Sequence, residues 1–254
     1  MMEKHLEGKT ALVTGSSRNL GAVIARELAA RGARVVVTYH QSRWAAEELV
    51  DELNQLTGVA HLSVGGDVST GPGAQALATE AVSAASRIDV LVNNTGPFSM
   101  EPFDQLAEDE WDRILNANLK AAYVCTQAVV PGMREAGWGR IVNVSAGSAY
   151  IRNHSIYTLA KAALVTLTEQ LALELGPEIT VNAIAPGQIA ESADDIAEFD
   201  PSFVERAIEW TPLKRLVTRQ EVATIVAELC SSRFAMLTGV TIPIDGGWRI
   251  GRFG

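Results

Sequence analysis

The chain has 254 residues, a formal net charge of −9 at pH 7 and two cysteines, and 47% of its residues are hydrophobic. The acid excess argues against a nucleic-acid partner, which calls for a basic face. It leaves room for a phosphorylated cofactor held by local backbone and Arg groups. No apolar run reaches the roughly 20 residues that span a bilayer, and the N-terminus lacks the apolar stretch of a signal peptide. A cytoplasmic protein with no membrane partner is therefore expected, with Cys125 and Cys230 as buried, reduced thiols.

In chain order, the first short apolar run is "TALVTG", followed by the helix-period segment "LGAVIARELAARG". The same alternation continues. "ARVVVTY" precedes "RWAAEELVDELNQLTG", "HLSVGGDV" precedes "GAQALATEAVSAAS", and "DVLVNNTG" precedes the long segment from Glu108 to Gly137. "RIVNVSA" then leads to "YTLAKAALVTLTEQLALELG", "TVNAIAPG" to an acid-rich stretch and "TRQEVATIVAELCSS", and "TGVTIPIDGG" closes the series. The short runs are rich in Val and Ile, as in strands buried on both faces. The longer ones are rich in Ala, Leu, Glu and Gln, and several stop at Gly. Strand and helix in alternation predict an α/β fold: a doubly wound, Rossmann-type parallel sheet of about seven strands with helices on both faces. We find no repeat or linker, so residues 1–254 read as one domain. Ligands of such sheets bind beyond the carboxyl ends of the strands, where the strand order reverses.

The first strand ends in "TGSSRNLG". A tight turn opening a helix offers free N–H groups and a positive dipole end to phosphate. Its candidate cofactor residues are Gly15, Ser17, Arg18, Asn19, Leu20 and Gly21. Asn19 stands where a third glycine might, and Asn tolerates left-handed backbone. At later strand ends, Asp67 and Val68 could meet an adenine ring, and Asn93, Asn94 and Gly96 allow close approach to the backbone. A site for NAD usually has an acid at the end of the second strand, bonding the ribose. Here that end reads Thr38, Tyr39, His40, Gln41, Ser42, Arg43, with no acid. We therefore expect NADP(H), with His40, Ser42, Arg43 and Arg18 near the extra phosphate.

In "SIYTLAK", Tyr157 and Lys161 are helix neighbours. An ordinary phenol, with a pKa near 10, is a poor proton donor at neutral pH. A nearby ammonium, with a cationic nicotinamide ring, would lower that pKa and make the phenol a usable acid/base.

With "NNTG", "NANLKA", "GRIVNVSA", "YTLAK", "VNAIAPG" and "TGVTIPIDGG" in order, the chain resembles the short-chain dehydrogenase/reductases, similar to the 3-oxoacyl-carrier-protein reductases. The resemblance implies a nicotinamide cofactor, hydride transfer between carbonyl and alcohol, no metal, and a homotetramer or homodimer. The segments Trp111–Val130 and Tyr157–Leu175 are candidate interface helices. It makes Tyr157 the acid/base and Lys161 its pKa partner and ribose ligand. Asn118 becomes the anchor of a proton-carrying water. Pro186, Gly187 and Ile189 border the cofactor, and a lid over the substrate spans about 188–215.

Two positions depart from the family pattern, Asn19 and the substrate-orienting serine. Counted from "GRIVN", that serine falls on Ala146. Ser145 is the candidate hydroxyl, with Ser148 as fallback. The lid's acids, Glu191, Asp194, Asp195, Glu198, Asp200, Glu205 and Glu209, disfavour anionic substrates and point to a neutral or apolar small molecule. Phe98, Tyr150, Ile151, Phe199, Phe203 and Trp210 are candidate pocket walls. A pteridine reductase and a silent NADP-binding scaffold are alternative readings.

Overall fold

A computed structural model describes residues 3–151, 155–197 and 200–250. Seven strands form one parallel sheet: β1 (Thr10–Val13), β2 (Arg34–Tyr39), β3 (Leu62–Gly65), β4 (Val90–Asn93), β5 (Gly139–Val144), β6 (Ile179–Pro186) and β7 (Thr241–Ile244). Their spatial order is β3-β2-β1-β4-β5-β6-β7. The first three strands grow outward in one direction and the last four in the other. The reversal lies between β1 and β4, where Ala11 to Val13 pair with Val90 to Val92.

The side-chain alternation of a strand explains the two-sided burial. Ala11, Val13, Val35 and Val37 enter one core, with α1 (Asn19–Ala30), α2 (Arg43–Thr57) and α9 (Arg219–Leu229). Leu12, Val36 and Leu91 enter the other, with α3 (Gly71–Ala85), α5 (Ala121–Glu135) and α6 (Ile156–Leu175). Both faces of β1 are thus sealed, and Leu12 is fully buried. Such burial is worth about 1.5–3 kcal/mol for one aliphatic side chain.

Two regions differ from the expected elements. The helix read from Glu108 onward is α4 (Glu108–Leu115), a π turn over Asn116–Lys120, and then α5. The extra residue of a π turn leaves no mark on the apolar period, and such turns occur often at functional sites. The acid-rich stretch after β6 is helical in part, with α7 (Ala193–Ala197) and α8 (Phe203–Trp210). Its base is clamped: Ala190 N–H donates to the Val217 carbonyl, and Val217 N–H to that of Gln188. Among the described residues, no helix is long and apolar enough to cross a membrane. Cys125 and Cys230 are free and buried, and burial pushes both thiols up to about 12.

Candidate active site

Hydroxyls and amides stitch the two central strand ends together just past their ladder. Thr14 Oγ1 accepts from Asn94 N–H at 2.9 Å and Thr95 N–H at 3.1 Å. Asn94 Nδ2 returns to the carbonyls of Thr14 (2.9 Å) and Gly15 (3.2 Å). On the other side, Thr38 Oγ1 accepts from Gly15 N–H at 2.8 Å, and Ser16 Oγ from Thr38 N–H at 2.9 Å. These bonds shape the turn into α1. Gly15 has φ +61°, and a Cβ there would stand 2.7 Å from Thr95 Oγ1. Asn19, at φ 53°, takes the left-handed backbone that its side chain tolerates. Leu20 is buried, Gly21 packs behind the turn, and Ser17 and Arg18 face outward. Nothing in the local sequence pattern singles out Thr14, Ser16 or Thr95; their roles come from tertiary pairing.

The adenosine side of the expected cofactor site is exposed and mixed in charge. His40 Nε2 lies 3.9 Å from Asp67 Oδ2. Asp67 Oδ1 accepts from Ser69 N–H at 2.9 Å, and bonding to Ser69 holds its carboxyl below the usual range. Arg43 pairs with Glu47 at 2.7 Å on the outer surface of α2, with Ser42 just before that helix. Arg18 is exposed and enters no ion pair among the described residues. Val68 is buried. Asn93 is not turned to a ligand: its Nδ2 donates to Asn143 Oδ1 at 2.8 Å, and Asn143 donates to Thr168 at 2.9 Å. This amide chain ties β4, β5 and α6 inside the core.

The reacting end gathers at Gly96. A Cβ there would collide with Asn118 Oδ1 and stand 2.8 Å from Lys161 Nζ. The π turn allows this placement. Asn118 Nδ2 donates to the carbonyls of Ile114 and Pro97, both at 3.0 Å, while Oδ1 is buried with no partner among the described residues. Lys161 is 2% exposed, and its Nζ donates to the Val144 carbonyl at 2.8 Å and lies 5.5 Å from the Tyr157 ring centroid. Tyr157 is half-buried, with the edge of Phe98 against it at 5.0 Å. Burial pushes the Tyr157 phenol up to about 12 and the Lys161 amine down to about 7. The protein alone therefore does not produce the lowered phenol inferred from the (i, i+4) spacing. The amine is itself desolvated and directed to a carbonyl.

Ser145 is placed away from the cleft. It is 3% exposed, and its hydroxyl donates to the Lys161 carbonyl at 2.9 Å. Strand alternation aims it at the α6 backbone, where it braces the helix. Ser148 sits in a 3₁₀ turn, Gly147–Tyr150, with its Oγ buried and unpartnered among the described residues. Pro186, Gly187 and Ile189 follow the end of β6, with Ile189 bridging to Val217. Among the lid acids, the Glu191 carboxylate accepts from Arg219 N–H at the start of α9, and Asp200 pairs with Arg206. Phe203 and Trp210 flank that Arg206 at 5.9 and 5.8 Å, and Arg249 covers Tyr150 at 5.3 Å. Ile151 is half-buried, whereas Glu198 and Phe199 lie outside the described residues.

The residues present suit a dinucleotide. Gly15 and Gly96 bring bare backbone to the strand ends, where no side chain would fit, and beside them Thr95 Oγ1 and Asn118 Oδ1 are buried with no partner among the described residues. Comparison with known proteins agrees with this arrangement. Residues 15–249 match the family model described as enoyl-(acyl carrier protein) reductase. The chain is 36% identical over 242 residues to a 3-oxoacyl-[acyl-carrier-protein] reductase FabG of Staphylococcus epidermidis, covering 94% of this chain and 98% of that protein. A gluconate 5-dehydrogenase from Burkholderia cenocepacia, solved with NADP and tartrate, superposes with a TM-score of 0.90 at 27% identity, covering 98% of each chain. A 7α-hydroxysteroid dehydrogenase solved with NADH and 7-oxo glycochenodeoxycholic acid gives 0.89 at 31% identity, covering 96% of each. With a strand order that reverses between β1 and β4 and a match along nearly its whole length, the chain belongs to the short-chain dehydrogenase/reductase family, whose members bind nicotinamide cofactors and act as oxidoreductases.

Proposed function

We propose that this protein is an NADP(H)-dependent oxidoreductase that interconverts a carbonyl and an alcohol, with Tyr157 as the proton donor and acceptor. The observation that carries this reading is the convergence of Tyr157, Lys161 and Asn118 beside Gly96, next to the point where strand order reverses. When bound, the nicotinamide supplies or takes up the hydride. Tyr157 holds the proton given to the substrate oxygen. Lys161 Nζ can exchange its bond to the Val144 carbonyl for a ribose hydroxyl, which brings its charge toward the phenol. Asn118 Oδ1, buried and open as an acceptor, suits a water that carries protons to Lys161.

Preference for the phosphorylated cofactor is supported by the acid-free end of β2 and by Arg18, which has no acidic partner among the described residues. The segment from about 188 to 215 is the proposed substrate lid. One of its acids, Asp200, is paired with Arg206, while the Glu191 carboxylate is held by the Arg219 backbone N–H and keeps its charge. Phe98, edge-on to Tyr157, is the apolar wall nearest the reacting end and favours a neutral substrate. A second reading, cofactor binding without turnover, draws on Ser145, whose hydroxyl is committed to the α6 backbone.

Oxidation of NADPH, followed by absorbance across a panel of ketones and aldehydes, tests the reading. Wild type should turn over with NADPH in preference to NADH. Tyr157→Phe should lose at least about a hundredfold in kcat, with NADPH affinity nearly intact. A Tyr157→Phe variant that keeps most of its rate removes the acid/base assignment. A wild type that binds NADPH and reduces nothing favours the second reading.

A further inference from the structure

Beyond the central strand ends lie two buried polar atoms with no hydrogen-bond partner among the described residues. Asn118 Oδ1 lies at Gly96, beside Lys161 Nζ. Thr95 Oγ1 lies against Gly15 at the start of the phosphate turn. The Thr95 backbone is pinned by its N–H bond to Thr14 Oγ1, so the residue is fixed in place by its main chain. Its hydroxyl adds nothing to that fixation. A hydroxyl offers one donor and two acceptor positions, and burying it with none in use is unfavourable. Valine would fill the same space without that cost. A threonine here therefore points to a ligand that supplies the missing partner.

We propose that Thr95 is a cofactor-binding residue whose hydroxyl donates to an oxygen on the adenosine and diphosphate side of the dinucleotide. The assignment rests on the dinucleotide reading above. The side follows from geometry. Thr95 Oγ1 faces Gly15, where the chain turns into α1 and free N–H groups gather. The next residue, Gly96, faces the opposite group, Lys161 and Asn118. Two adjacent residues thus divide the cofactor between them, one serving each half.

The test is Thr95→Val, which keeps the shape and removes the donor, with Thr95→Ser as the conservative control. NADPH and 2′-phospho-ADP-ribose, which lacks the nicotinamide, are titrated by calorimetry into each ligand-free protein, and the melting temperature of each is measured. Thr95→Val should bind both ligands roughly tenfold more weakly and melt no lower than wild type, while Thr95→Ser stays close to wild type in affinity. Equal NADPH affinity in wild type and Thr95→Val overturns the assignment. A lower melting temperature with unchanged affinity also overturns it, marking the hydroxyl as structural. Weakening confined to NADPH overturns the placement on the adenosine side. A wild type that binds neither ligand overturns the dinucleotide reading and this assignment together, a result distinct from a variant that matches a binding wild type.

Discussion

Lys161 and Tyr157 are held in opposite departures from their ordinary values, and both come from burial. For Lys161 the folded pKa, about 7, lies below the ordinary value of 10.5. Folding therefore favours the neutral amine. The cost is full below about 7 and shrinks as pH rises toward 10.5. Tyr157 acts higher: its phenol is protonated in both states below 10.0, and it penalises the fold only as pH climbs toward about 12. Between these limits the ligand-free protein should gain thermal stability from about pH 7 to about pH 10. Lys161→Met should flatten that rise, as read by calorimetric melts across the window. An identical pH profile in both proteins would mean that the amine is solvated and charged throughout. At this scale the pair was legible from its spacing, but the stronger of the two influences on it was not. Burial is a property of the packed molecule, and here it outweighs the attraction between the two side chains.

At the scale of elements, α6 carries the reacting pair and depends on how it begins. Ser155 is its N-cap: Ser155 Oγ accepts from Thr158 N–H at 3.1 Å and donates to Thr158 Oγ1 at 3.0 Å. Tyr157 stands in the first turn, so fraying there would displace the phenol directly. Ser155→Ala should cost about 1 kcal/mol in denaturant unfolding and lower kcat more than it raises KM. An unchanged kcat would show that Phe98 and the rest of the helix hold the phenol without the cap. The strands and long helices were readable because apolar period and β-branched content report them directly. The π turn at Asn116–Lys120 was hidden, since one inserted residue does not disturb a broad apolar face. Helices α7 and α8 were hidden for another reason: short helices are marginal alone, and packing against the rest of the fold decides whether they form.

For the whole molecule, the outer surface of α4, α5 and α6 bears on assembly. Leu115, Leu119, Tyr123, Ala163 and Leu167 line a shallow groove of about 460 Å³, with Trp111 and Leu159 exposed nearby. A second copy of the chain covering this face accords with the proposed dimer or tetramer. Tyr123→Glu should then shift the protein toward monomer in light scattering at micromolar concentration. An unchanged mass would move the interface elsewhere.

Composition and periodicity alone determined the class of fold, the order of its elements and the edge of the sheet where chemistry gathers. Those features follow from burying apolar side chains at strand and helix spacing, a constraint written locally along the chain. The tertiary structure decided which polar atoms are spent and which remain open. It turned Asn93 and Ser145 into internal braces, paired Arg43 with Glu47 at the surface, and left Thr95 and Asn118 with unused hydrogen-bonding capacity among the described residues. The partners of Asn93 and Ser145 lie across distant parts of the chain, and no local pattern encodes such a pairing; the (i, i+4) pair of Arg43 with Glu47 is the local exception.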